Sequence, residues 1–206
     1  MEKIVIIGAG GLGREIFSWL STPSLEYQVV GFVDDNLNQL DNCKYPCKIL
    51  SSIEEYVPAN GTLHVLAIMN PATKKKVVEK LERKNCDFLT FIHPSCIIGH
   101  NVKVGEGCVI TPNCILTADI KIGRFVFLNT STTLGHDVSI GDYVSVNGKV
   151  EISGGVVLGS EVLVGSRAVI LPKRKIVSGA VIGAGSVVLT HVNKAVTVFG
   201  NPAREI

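Results

Sequence analysis

Leu134-Gly135-His136-Asp137-Val138-Ser139-Ile140-Gly141-Asp142-Tyr143-Val144-Ser145-Val146 places an aliphatic residue at every sixth position, at Leu134, Ile140 and Val146. The pattern extends outward in both directions. From Ile92 to Val188 every sixth residue is aliphatic, without interruption. Two positions earlier the residue is usually small or β-branched, as at Cys96, Val102, Cys108, Cys114, Thr132 and Val144. A fixed short period marks a repeat architecture, and a period of six predicts a parallel β-helix. Three six-residue faces close a triangular coil, and coils stack at the β-sheet spacing of about 4.8 Å. Residues three hexads apart therefore lie above one another, and the aliphatics stack into an internal ladder. The residue after each aliphatic is often Gly (Gly99, Gly105, Gly123, Gly135, Gly141, Gly159, Gly165, Gly183) or Asn (Asn129, Asn147). These are read as corners that need a positive φ. A β-sandwich with alternating strands would not keep a period of six over this length.

Residues 1–90 have a different character, with strands alternating with helical stretches. Strands are expected at Lys3–Ile7, Val29–Asp34 and His64–Met69. Helices are expected at Leu12–Leu20 and Ala72–Lys84, the latter with Val77, Val78 and Leu81 on its apolar side. A short helix is expected at Ser51–Tyr56, with Ser51 and Glu54 as a capping box. A last strand, Phe88–Ile92, leads into the first hexad. The expectation is a Rossmann-like α/β domain over 1–90, then an all-β parallel helix over 91–206, with a tail once the period stops near Leu189.

Composition bounds the rest. The 206 residues are 46% hydrophobic and only 18% charged, with a net charge of +2. No basic run with interleaved aromatics appears, so nucleic acid is not an expected partner. No stretch reaches the roughly 18 apolar residues of a membrane span, and a cytoplasmic protein is the simplest reading. Cys43, Cys47, Cys86, Cys96, Cys108 and Cys114 form no convincing zinc pattern. No metal is expected. Cys96 and Cys114 should stack one coil apart as small core residues.

Gly8-Ala9-Gly10-Gly11-Leu12-Gly13 follows a strand and opens a helix, the setting of a phosphate-binding turn. Asp34 and Asp35 end the second strand, where a carboxylate can hold a ribose hydroxyl. About 90 residues supply half of a dinucleotide fold, so a single nucleotide carrying a sugar fits better than NAD. The competing reading is a tight turn that binds nothing. Among five histidines, His100 and His136 fall two residues after a hexad aliphatic, on one corner, two coils apart. Only His136 is followed by an acid, Asp137, which can fix the imidazole tautomer and raise its basicity. A solvated corner histidine is the alternative.

The glycine turn, the Asp34-Asp35 pair, the stretch Leu134–Tyr143 and the terminal Gly200-Asn201-Pro202-Ala203 together resemble the NeuD/PglD-like hexapeptide-repeat sugar acyltransferases. The resemblance covers almost the whole chain. It implies a left-handed β-helix, a homotrimer, and acetyl-CoA bound between neighbouring helices. It implies that the N-terminal domain binds the nucleotide of a nucleotide-linked sugar through Gly8, Gly10, Gly11, Leu12, Gly13, Asp34, Asp35, Met69 and Asn70. His136 maps onto the family's base and Asp137 onto its acidic partner. Acetyl-CoA contacts map onto Ser145, Gly165, Ser166, Gly183 and Ala184. Many relatives carry a second histidine where this chain has Ser145, and a glycine where it has Met69; both departures bear on the substrate. The implied activity is acetyl-CoA-dependent acetylation of a nucleotide-linked amino sugar for surface-polysaccharide or glycan synthesis. O-Acetylation of a sialic-acid-type sugar is the nearest rival. A non-catalytic trimeric scaffold and an amino-acid acyltransferase are the rivals from other classes.

Overall fold

The computed structural model describes residues 1–206 and divides into two compact units, Met1–Leu89 and Thr90–Ile206. The first unit is a five-stranded parallel sheet. Its strands are β1 (Glu2–Ile7), β2 (Tyr27–Val33), β3 (Ile49–Ser51), β4 (Thr62–Leu66) and β5 (Asp87–Phe88), in the order β3-β2-β1-β4-β5. Helix α1 (Gly11–Leu20) follows β1, and helix α2 (Pro71–Glu82) follows β4. Ile4 to Ile7 are all buried, as expected of a central strand covered on both faces. Val77, Val78 and Leu81 are the buried aliphatic side of α2. Asn70 caps that helix by accepting the Thr73 N–H at 2.9 Å, and Pro71 takes the first turn, where a missing N–H costs nothing.

Two expected elements differ. The short helix at 51–56 is absent. Ile49 and Ser51 pair with Phe32 and Val33 as the edge strand β3, and the Asp34 N–H donates to Ser51 O, so Ser51 is committed to the sheet. The local cap shifts one residue on, where Ser52 Oγ accepts the Glu55 N–H at 3.2 Å. The expected strand Phe88–Ile92 is two separate pairs. Asp87 and Phe88 lie beside Leu63 and His64, whereas Phe91 and Ile92 (β6) lie beside Val109 and Ile110.

The second unit is a parallel β-solenoid. Each hexad forms a two-residue strand, and the strands stack into three parallel sheets whose partners are three hexads apart, as in Leu116↔Leu134↔Ile152↔Ile170. The inward ladder is buried from Ile110 to Val188, while Ile98, on the first coil, is 42% exposed because nothing stacks beyond it. Cys96, Cys108 and Cys114 line the interior and aim their thiols at carbonyls of the following coil: Thr111 O at 3.1 Å, Gly123 O at 3.0 Å and Asn129 O at 3.3 Å. No disulfide links any of the six cysteines. The period ends with the tail, where Val198 pairs with Ile182 at a spacing of sixteen and Ala203–Glu205 folds back antiparallel.

The corners correct one expectation. Glycines that directly follow the ladder residue do not have positive φ. The left-handed residue comes two positions later, and it is often not glycine: Asn101, Asn113, Asp119, Phe125, Ser131, Asp137, Tyr143 and Lys149 all have φ between 54° and 61°. The glycines answer a different demand. A Cβ on Gly135 would lie 2.5 Å from Gly154 N, on Gly141 2.6 Å from Ser160 N, and on Gly165 2.4 Å from Ala184 N. They let one coil rest on the backbone of the next.

Candidate functional site

His136 sits just past the strand Thr133–Leu134, on a corner of the prism. Asp137 holds the left-handed conformation there (φ 60°), which short polar side chains tolerate best, and its N–H donates to Ala118 O at 3.0 Å. That backbone geometry turns its carboxylate back onto the neighbouring ring: Asp137 Oδ2 lies 2.7 Å from His136 Nδ1. Both side chains are about two-thirds exposed. The carboxylate accepts the Nδ1–H, so in the neutral ring Nε2 carries the lone pair. This is the arrangement of a general base whose tautomer is fixed by an acid.

The ring lies over Gly154, its neighbour on the next coil. A Cβ there would stand 2.6 Å from His136 Nε2 and 2.8 Å from its Cε1, so no other residue fits beneath the imidazole in this position. The following residue, Gly155, donates its N–H to His136 O at 2.7 Å and ties the two coils together. On the preceding coil the matching residue is Ala118. The imidazole is thus flanked by small residues along the edge. The sequence reading overlooked Gly154, although the period puts it directly after His136 in the stack.

The positions matched to acetyl-CoA lie elsewhere on the prism. Ser145 is buried on the strand Ser145–Val146, between Phe127 and Leu163. Gly165, Ser166, Gly183 and Ala184 follow strands of that same sheet, and Ser166 and Ala184 are exposed. His136 follows a strand of a different sheet. One chain therefore does not bring these groups to the same edge.

In the first unit the candidate residues converge. The glycine turn follows β1, Asp34 and Asp35 follow β2, and Ala67–Asn70 follow β4. These three strands are neighbours, and the strand order reverses between β1 and β4. Ligands of open α/β sheets bind outside the carboxyl ends of the strands at that reversal. The glycines divide into two kinds. Gly8 has φ 104°, and a Cβ on it would lie 2.9 Å from Ala67 O; a Cβ on Gly13 would lie 2.0 Å from Gly8 O. Gly10 and Gly11 would meet nothing within 4 Å and have no positive φ, so the fold itself does not require glycine there. The helical bonds of α1 begin with the Arg14 N–H to Gly10 O, leaving the N–H groups of Gly11, Leu12 and Gly13 ahead of the ladder. Arg14, which the sequence reading did not single out, stands one residue beyond the turn, with a guanidinium N–H 3.3 Å from Cys43 Sγ. Met69 is half-buried, and the Asn70 side chain is engaged in capping α2. No cluster of three or more His, Cys, Asp or Glu side chains is placed to hold a metal ion. No helix is long and apolar enough to cross a membrane.

Comparison with known proteins agrees with both units. Residues 3–81 match the PglD N-terminal domain family, and residues 90–118 match the bacterial transferase hexapeptide family of six repeats. A UDP-N-acetylbacillosamine N-acetyltransferase of Bacillus subtilis (strain 168) is 31% identical over 114 residues, 53% of this chain and 51% of that protein. The match thus spans about half the length of that curated relative. WeeI from Acinetobacter baumannii AYE is 29% identical, with a TM-score of 0.87 over 98% of this chain and 99% of its own. PerB from Caulobacter crescentus, solved with CoA and GDP-perosamine, shares the fold at 24% identity, with a TM-score of 0.87 over 99% of this chain and 97% of its own. The acetyltransferase domain of PglB from Neisseria gonorrhoeae FA1090, solved with acetyl coenzyme A, does so at 23% identity, with a TM-score of 0.87 over 100% and 99%. With a PglD-type α/β unit over residues 3–81 followed by uninterrupted hexapeptide coils, the chain is similar over nearly its whole length to WeeI and shares its two-unit fold with the PerB and PglB structures.

Proposed function

We propose that this protein transfers an acetyl group from acetyl-CoA to the amino group of a nucleotide-linked sugar. One observation carries the reading: His136 Nδ1 is bound by Asp137 at 2.7 Å, leaving Nε2 as the base over a side-chain-free floor at Gly154. The sugar amine attacks the thioester carbonyl carbon through its lone pair, and Nε2 takes the proton that the nitrogen loses. The negative charge that develops on the carbonyl oxygen is met by backbone N–H groups. As the tetrahedral species collapses, the C–S bond breaks, and the imidazolium returns its proton to the departing sulfur. Asp137 stabilises the imidazolium between the two transfers.

The first unit supplies the nucleotide site. Gly10, Gly11 and Leu12 offer N–H groups to the phosphates at the N-terminus of α1, and Asp35 stands at the neighbouring strand end. Ser166 and Ala184, both exposed, are proposed to contact acetyl-CoA, whereas Ser145, expected from the sequence to do so, is fully enclosed within its own protomer and does not. Because Ser166 and Ala184 lie on a different edge from His136, a second copy must bring them to the imidazole, which favours the trimer. N-Acetylation is favoured over O-acetylation, because the curated relative is an N-acetyltransferase of an amino sugar nucleotide. The place of action is the cytoplasm, and the products serve surface-polysaccharide or glycan assembly.

The test is a panel of UDP-, dTDP-, GDP- and CMP-linked amino sugars incubated with acetyl-CoA, following thiol release. At least one amino sugar is expected to release thiol and gain an acetyl group. Silence across the panel, with CoA binding intact, would remove the proposed activity.

A further inference from the structure

Asp34 resembles the carboxylate that grips a ribose at the end of a second strand, yet both of its oxygens are taken by backbone N–H groups of its own unit. Asp34 Oδ2 accepts the Ala9 N–H at 2.7 Å, and Oδ1 accepts the Asn36 N–H at 2.9 Å. The preceding bond in the same line runs from the Gly8 N–H to Val33 O at 2.8 Å. Two consecutive N–H groups of the glycine turn are thereby fastened to the end of β2. Asp34 is half-buried, whereas Asp35 is exposed and spends one oxygen on the Ile53 N–H at 2.9 Å.

We propose that Asp34 is a positioning residue that braces the phosphate turn, and that Asp35 alone of the pair faces the ligand. This rests on the nucleotide-site reading given above. A carboxylate accepting a backbone N–H at 2.7 Å makes a charge-assisted bond, stronger than a neutral one. It withdraws Ala9 from the donors open to a phosphate and holds Gly10, Gly11 and Leu12 in place before any ligand arrives. The turn is then preorganised, and the ordering cost of binding is met in the free protein. Because the brace acts on the phosphate end, its loss must weaken every nucleotide alike, whatever its sugar.

The test uses the full-length protein, with UDP and 2′-deoxy-UDP as probes in calorimetry. Asp34→Ala is expected to weaken both by the same factor, about tenfold. Asp34→Asn, whose amide oxygen can still accept the Ala9 N–H, should recover part of that loss. A loss confined to UDP, with 2′-deoxy-UDP unaffected, would make Asp34 a ribose ligand and overturn the proposal. Amide exchange supplies a measurement that needs no ligand. In Asp34→Ala the peptide containing Ala9 should exchange at least about tenfold faster, and in Asp35→Ala at the wild-type rate. Unchanged exchange in Asp34→Ala would also overturn the brace. If wild-type protein binds neither diphosphate, nor dTDP, GDP or CMP, the nucleotide-site reading fails, and the exchange result still decides the role of Asp34.

Discussion

The two units turn their strands by opposite means. In the α/β unit the turn after β1 depends on particular glycines: Gly8 at φ 104° against Ala67, and Gly13 against the backbone of Gly8. In the solenoid the left-handed corner residues include Phe125, Tyr143, Glu161, Arg167 and Lys173. Stacking of coil on coil supplies the missing local preference, since each such corner is held by a backbone bond to the coil before it, as with the Asp137 N–H to Ala118 O. A unit with a costly, singular turn can shape that turn around a ligand. A unit of identical rungs tolerates almost any side chain at its corners, and so can mount an imidazole on one of them.

The contrast can be broken most sharply inside the ladder. Leu134→Lys puts an unpaired charge at a fully buried rung. It should lower the melting temperature by at least about 10 °C, or abolish folding of the solenoid; an unchanged melting curve would refute the interior assignment. His136→Ala should lower kcat by roughly 10²–10⁴ while leaving CoA affinity nearly intact. Wild-type turnover in that variant would remove the imidazole from the reaction. Gly154→Ala should displace the ring, since its new methyl would stand 2.6 Å from Nε2. A displacement of that order is expected to cost kcat about 10²-fold with little change in melting temperature. Equal activity would show that the ring tolerates a floor beneath it.

In the α/β unit the effects should be smaller. Asp35→Ala is expected to weaken sugar-nucleotide binding by about tenfold without changing the oligomeric state. Unaltered affinity would move the ligand contact elsewhere. The smallest effect concerns His64, fully buried, with Nδ1 against Asp87 O at 2.8 Å and Nε2 against the Tyr56 hydroxyl at 2.9 Å. Burial lowers its pKa, and it pushes that of Tyr56 up to about 12. Below about pH 6.5 the unfolded chain gains a proton on this residue that the folded chain resists. Its stabilising contribution is complete above that pH and is lost as the pH falls toward the native value. The melting temperature should therefore drop between pH 7 and pH 5.5 more steeply in wild type than in His64→Asn; parallel profiles would contradict this.

The solenoid was legible because one repeated contact determines it, and the ladder from Ile110 to Val188 could be read position by position. The glycines beside it stand out in the sequence, but they answer stacking clearance and not a positive φ. Stacking clearance at Gly135 or Gly165 depends on a residue one coil away, which local turn rules ignore. In the α/β unit, α1 followed the glycine turn and α2 was marked by its apolar side, whereas β3 was not legible, because three residues at a sheet edge owe their form to pairing with Phe32 and Val33. The His136-Asp137 pair was visible as adjacent letters. The gap at Gly154 and the bond from the Ala9 N–H to Asp34 were not, since each needs two distant segments in contact.

The stacking interval has a consequence for how such a chain can change length. Excising six residues between His136 and Ser166 would rotate everything downstream by one face, carrying Ser166 to a new edge while the interior stayed filled. Excising eighteen would remove a single storey and return every later side chain to its original bearing. Length in this molecule is therefore quantised, and only whole-storey insertions or losses leave the relative azimuth of its two distant groups untouched.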